Sequence, residues 1–221
     1  MNQQISYPRP RALPSIISLM QYEPQKSWFV SEDRAKNTVH GIGHLARVLV
    51  LQEILTRLLV ESGTSPQGLN QEAIRWAAVT HDVKRISDFR SYNHGTVAAE
   101  WVATILPNTL TQKTITKIKE ILKSHENFET ILSEDNYENA ILSDADKLER
   151  CRLENILPTY TPEIIKRKIG LDPRRFNFPL SKNLISLAQA LQKSSQFEQK
   201  TYTIQPFYCV MLTAKQLGIL T

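Results

Sequence analysis

Apolar residues recur every three or four positions along most of the chain, a spacing that lays them on one side of an α-helix. The clearest stripe joins Ile42, Leu45, Val48, Leu49, Leu51, Ile54, Leu55 and Leu58, and Gly63 ends it. Asn70 offers an N-cap for a helix through Ile74, Ala77 and Ala78 that carries His81 and Asp82 at its buried end. A third helix starts near Asn93 and His94 and runs through Val97, Ala98, Trp101, Val102 and Ile105 until Pro107 stops it. Thr111 caps a fourth, with Ile115, Ile118, Ile121 and Leu122 as its stripe and His125 at its end, and a fifth covers Ala140 to Leu153.

Beyond Pro158 the pattern changes. Thr161, Pro162 and Glu163 form a helix start with proline at the first helical position, whereas Leu171 to Pro179 suits a loop. Ser181 opens a helix through Leu184, Ile185, Leu187, Ala188 and Leu191, and a last one runs from Pro206 to Gly218. The chain shows no alternating strand pattern, no internal repeat and no glycine-rich phosphate loop. An all-α single domain of about seven to nine helices is therefore predicted. Its expected organisation is an N-terminal arm (1–30), a central domain (31–157) and a helical C-terminal extension (158–221) packed on the same domain.

Composition narrows the class. With 221 residues, 41% of them hydrophobic, the chain buries a core of ordinary size. No run of apolar residues is long enough to span a membrane. Met1 to Pro14 is polar and lacks the apolar segment of a secretory signal, so a cytoplasmic location is expected. Cys151 and Cys209 have no Cys-x-x-Cys partner and read as packed thiols, not as a redox pair or thiolate metal site. The net charge of +5 and pI of about 9.2 favour anionic ligands, phosphorylated small molecules and nucleic acid alike. Lys166, Arg167, Lys168, Arg174, Arg175, Phe176 and Phe178 make the best stretch for an anionic partner, but no defined nucleic-acid-binding motif accompanies it. Nothing in the sequence fixes an oligomeric state.

All five histidines lie between positions 40 and 125. Imidazole nitrogen and carboxylate oxygen are the ligand types that hold a divalent cation while leaving a coordination position open to water. His40 and His44 share a helical face and can ligate one metal; the zinc-protease pattern needs Glu directly after the first His, where Gly41 stands. Gly41 and Gly43 suggest a loop-like helix entry or a close approach to the backbone. His81 and Asp82 diverge by about 100° on a helix. A shared cation must lie against the seam between them, or Asp82 must bridge toward a second ion.

Three segments in order, His44-x-x-Arg47-Val48, then Ala77-Ala78-Val79-Thr80-His81-Asp82, then Asp144-Ala145-Asp146-Lys147-Leu148, resemble the HD-domain metal-dependent phosphohydrolase superfamily. The resemblance covers about residues 38 to 155. It implies an all-helical HD-like domain in which His44, His81, Asp82 and Asp146 bind a divalent metal. Asp144 competes with Asp146 for the last place, but the Ala-Asp-Lys-Leu frame matches at Asp146. Asp144 is then left to orient a ligand histidine or to cap a turn. Branches with two metals add two histidines, and His94 and His125 are similar to these in position. One or two ions are thus implied, from among Mn, Fe, Co, Ni, Zn and Mg. The plainer alternative makes His94 a helix cap or phosphate binder and His125 an imidazolium favoured by a helix C-terminus.

The activity that the resemblance implies is hydrolysis of a phosphomonoester or phosphodiester, with a nucleotide as the expected substrate, by metal-activated water. Arg47, Lys84, Arg85 and Lys147 flank the implied ligands and are candidates to neutralise phosphoryl oxygens, Lys147 foremost. His40 and Lys84 are expected on the substrate. Asp82, His40 and Asp88 are the candidates for proton transfer, since Arg85 stands where some nucleotidase members carry a glutamate. Trp28, Trp76 and Trp101 read as core residues, with Trp28 and Phe29 as an alternative cover for a pocket mouth. Two other functions suit the same scaffold: a nucleotide-binding regulatory module without turnover, and a dinuclear-iron oxygenase.

Overall fold

A computed structural model describes residues 7–37, 39–87, 93–125, 132–150, 175–202 and 205–221. Among them lie nine α-helices and no strand, as the hydrophobic spacing predicts. In chain order these are α1 (Ile16–Met20), α2 (Glu32–Asn37), α3 (Ile42–Glu61), α4 (Gln71–Thr80), α5 (His94–Trp101), α6 (Gln112–Ser124), α7 (Tyr137–Glu149), α8 (Ile185–Tyr202) and α9 (Pro206–Gln216). The expected helix start at Thr161, the thiol of Cys151, Asp88, and the basic residues 166–168 and 174 lie outside the described residues.

The central element is α3. Its apolar residues are not confined to a stripe, and it is buried on nearly all sides because α4, α7 and α9 pack around it. Gly63 ends it in the left-handed conformation (φ 70°), which lets the Thr64 amide return to the Leu59 carbonyl at 3.1 Å. The Asn70 side chain accepts from the Ala73 amide at 3.0 Å and that of Thr111 from the Thr114 amide at 3.2 Å, so both expected caps are present. Helix α6 packs against both α4 and α5, which brings the ends of α4, α5 and α6 together near the start of α3.

Several boundaries differ from the sequence expectation. Helix α4 ends at Thr80, leaving His81 as its C-cap, still in the right-handed helical conformation, and Asp82 in the turn that follows. The helix expected to run to Ile105 ends at Trp101 and tightens into a 3₁₀ turn, Val102–Thr104. Helix α7 begins at Tyr137, ahead of Ala140, and Ser181 lies within a 3₁₀ segment, Pro179–Leu184, that precedes α8. The N-terminal stretch packs onto the helical core. Leu19 and Tyr22 are fully buried, and the backbone around Pro14 and Ile16 hydrogen-bonds Thr221 at 3.0 and 2.9 Å.

Trp28 and Trp76 are buried, and together with Tyr22 and Trp101 they form an aromatic cluster with ring centroids 5.1 to 6.4 Å apart. This supports the core reading of the tryptophans. Cys209 is likewise a buried thiol, with its Sγ 3.1 Å from the Ser195 carbonyl.

Candidate metal centre

The five histidines and two of the aspartates meet in one place. His40 and His44 come from the entry to α3, His81 and Asp82 from the end of α4, His94 from the start of α5, His125 from the end of α6 and Asp146 from α7. Three sets each present donor atoms within 4.8 Å of one another: His40, His44 and Asp82; His44, His81 and Asp146; Asp82, His94 and His125. Such buried groups can hold metal ions.

Asp82 stands in the middle. Its Oδ2 lies 2.7 Å from His40 Nδ1, 3.4 Å from His44 Nε2 and 3.6 Å from His81 Nε2. The other oxygen, Oδ1, lies 2.9 Å from His94 Nε2 and 3.9 Å from His125 Nε2. The two carboxylate oxygens thus face two different histidine groups. Asp146 Oδ1 completes the first group, 3.5 Å from His44 Nε2 and 3.9 Å from His81 Nε2, while its Oδ2 accepts from Arg150 at 3.2 Å.

The hydrogen bonds on the far side of each ring decide what its near side offers. His81 Nδ1 donates to the Ala78 carbonyl at 3.0 Å, His125 Nδ1 to the Leu122 carbonyl at 2.6 Å, and His44 Nδ1 to Glu149 Oε2 at 2.7 Å. In a neutral imidazole that leaves the lone pair on Nε2. Yet His44 Nε2 faces His81 Nε2 at 3.2 Å, with no proton to share between them. Lone pairs meeting in this way repel unless a cation lies between them. Metal–nitrogen bonds of about 2.0–2.1 Å place two adjacent ligand nitrogens roughly 3.0–3.4 Å apart, so the observed separation fits a shared ion. The 3.1 Å between His94 Nε2 and His125 Nε2 fits equally.

Burial supports the same protonation states. It lowers the His81 imidazole to a pKa of about 3, outweighing the attraction of Asp82, and it lowers His125 as well. A buried, neutral His125 is not the dipole-stabilised imidazolium of the plainer sequence reading. Burial alone would raise Asp82, but the hydrogen-bonded His40 ring helps hold its carboxyl well below the ordinary range; Arg150 does the same for Asp146 against its burial. Between about pH 3 and 6.5 the unfolded chain therefore binds a proton at His81 that the folded chain does not. Stability should rise with pH across that window. We expect the urea midpoint of the metal-free protein to be lower at pH 5 than at pH 7, His81 contributing at most about 1.4 kcal/mol per pH unit. A midpoint independent of pH would show that the folded chain takes up protons across this range as readily as the unfolded one.

Of the cations expected at the phosphate, the structure brings only Arg85 to the cluster. Its Nη1 lies 3.4 Å from Asp82 Oδ1 and 3.3 Å from His94 Nε2. The other three point elsewhere. Lys147 follows Asp146 directly, so the helix turns it away and its Nζ donates to the Arg175 carbonyl at 2.8 Å. Lys84 donates to the Trp28 carbonyl at 2.6 Å and lies 3.9 Å above the Trp101 ring. Arg47 binds Glu149 Oε1 at 2.7 Å behind His44. Asp144 is the turn cap of the two roles left to it. It accepts from the Asn177 and Phe178 amides, the Asn177 side chain and Ser181 Oγ at 2.7 to 3.0 Å.

Two residues not anticipated from the sequence join the site. Glu149 holds His44 from behind, and Arg34 lines a cleft with Phe29, His40, Asp82 and Arg85. Neither carries a signal beyond its charge. The first lies one turn past Asp146, and the second lies in the charged helix α2.

No protein-family model, curated protein or solved structure matches the chain. Fold and site together define an all-α protein with a buried histidine and aspartate cluster able to hold metal.

Proposed function

We propose that the chain is a metal-dependent phosphohydrolase acting on a small phosphorylated substrate, a nucleotide or a related ester. The observation that carries this reading is the Asp82 carboxylate, set between two histidine groups and beside a small recess that Arg34 and Arg85 help to line. The ordered motif that resembles HD-domain phosphohydrolases supports it. His44, His81, Asp146 and Asp82 Oδ2 would hold one ion, and Asp82 Oδ1, His94 and His125 a second. A divalent cation held by these imidazoles and carboxylates would supply Lewis acidity, acidifying bound water and polarising a phosphoryl oxygen.

The protein's own groups do the rest. Arg85, whose Nη1 lies 3.4 Å from Asp82 Oδ1, and Arg34 would bring positive charge to the non-bridging oxygens of a phosphoryl group held at Asp82. His40 also lines that recess and donates from Nδ1 to Asp82 Oδ2, which orients the carboxylate. Phe29 supplies an apolar side for the organic part of the substrate.

Two measurements test the reading. Metal analysis of the purified chain should find close to two ions, falling to close to one in His94→Ala and in His125→Ala. A panel of nucleotides and generic phosphomonoesters and phosphodiesters, run with Mn, Co, Ni, Zn, Fe and Mg, should then yield turnover with at least one pair. Tight nucleotide binding with no turnover under any ion would replace the enzyme with a regulatory module. Oxygen consumption by the iron-loaded chain would replace it with an oxygenase.

A further inference from the structure

Behind His44 a line of polar groups runs away from the cluster into the C-terminal helices. Glu149 Oε2 accepts from His44 Nδ1 at 2.7 Å, and its Oε1 accepts from Arg47 Nε at 2.7 Å. Arg47 Nη1 in turn reaches Ser195 Oγ on α8 at 3.5 Å. Glu149 is 1% exposed, so both its oxygens are satisfied by protein groups in a dry setting. Arg47 has room to take this position because Gly43, one turn earlier on α3, has no side chain; a Cβ there would lie 3.3 Å from Arg47 Nη1.

We propose that Glu149 is a positioning residue that fixes the His44 proton on Nδ1, with Arg47 anchoring the carboxylate so that it cannot swing round and become a ligand itself. The inference rests on the metal reading of His44. A carboxylate behind a ligand imidazole selects the tautomer, fixes the ring plane and raises the basicity of the nitrogen in front. An ordinary buried ion pair tying α3 to α7 would need only Arg47 and Glu149. Here one carboxylate serves both the arginine and a ring whose other nitrogen lies 3.2 Å from His81.

The test combines affinity with a direct view of the proton. In the metal-free wild-type chain, ¹⁵N imidazole NMR should show His44 as the Nδ1–H tautomer. In Glu149→Ala it should become a mixture of both tautomers, and manganese or zinc affinity by titration calorimetry should fall about 10–100-fold. Glu149→Gln keeps an acceptor for the ring and should recover part of the affinity; Arg47→Lys should lose part of it. Wild-type His44 protonated on Nε2 would overturn the proposal, as would wild-type affinity in both Glu149 variants. Should Glu149→Ala not fold, the wild-type tautomer and the Gln variant decide. A wild-type chain that takes up no metal sinks the hydrolase reading instead, while the tautomer measurement still tests Glu149 by itself.

Discussion

Asp82→Asn should abolish metal uptake at both histidine groups together, and any phosphohydrolase activity with it. The isosteric amide keeps the shape of the side chain but removes the charge that both groups share: Oδ2 lies 3.4 Å from His44 Nε2 and Oδ1 2.9 Å from His94 Nε2. The second group then keeps no carboxylate and the first keeps only Asp146, and the amide nitrogen would present protons where an oxygen lone pair is needed. Groups one layer further out already cost 10–100-fold in affinity or activity, so the loss here should exceed about 100-fold. His94→Ala, by contrast, should spare the ion at His44, His81 and Asp146. Metal analysis of the two variants side by side distinguishes a shared carboxylate from two independent sites. An Asp82→Asn chain that retains one full equivalent of metal would show that Asp82 does not bridge.

The second large effect is expected at Gly95. A Cβ there would lie 2.3 Å from the Leu122 carbonyl oxygen and 2.7 and 2.8 Å from His125 Cε1 and Nδ1, closer than atoms pack. The first of these contacts is backbone, so it cannot rotate aside. Gly95→Ala must push α5 away from α6, which separates His94 from His125 and disturbs the bond from His125 Nδ1 to that same carbonyl. The expected outcome is a stability loss of about 1–3 kcal/mol together with the second equivalent of metal. Gly63→Ala is the control. It too is conformationally strained, at φ 70°, but has nothing within 4 Å, and it should lose about 1–2 kcal/mol with full metal content. Denaturant unfolding and metal analysis on both variants check the pair.

Much of this was legible from residue spacing and some of it was not. Long helices such as α3 announce themselves, because a 3.6-residue period and a cap such as Asn70 or Thr111 are local properties. Histidines in an ordered motif are legible for a related reason, as few other uses gather five imidazoles in so short a stretch. Adjacency in sequence was a poor guide to the cations. Lys147 sits beside Asp146, but a helix turns by about 100° per residue and carries it off the Asp146 face. Arg47 shares the His44 face and still ends behind the ring, because Glu149 captures it at 2.7 Å. Glu149 itself reads as one more charge at the end of an amphipathic helix. Only the packing of α7 on α3 reveals that it is buried.

Residues 26–40 supply three of the five side chains around the cleft, Phe29, Arg34 and His40, yet only His40 belongs to a set able to hold metal. That stretch is clamped to the turn after Asp82 through the Lys84 ammonium on the Trp28 carbonyl. On the proposed function, selectivity and reactivity would fall largely on separable lengths of polypeptide, with His40 shared between them. If the proposed function holds, exchanging Phe29 would retune which organic group is accepted while every metal ligand stays in place, and a protein so divided can change its diet in few steps.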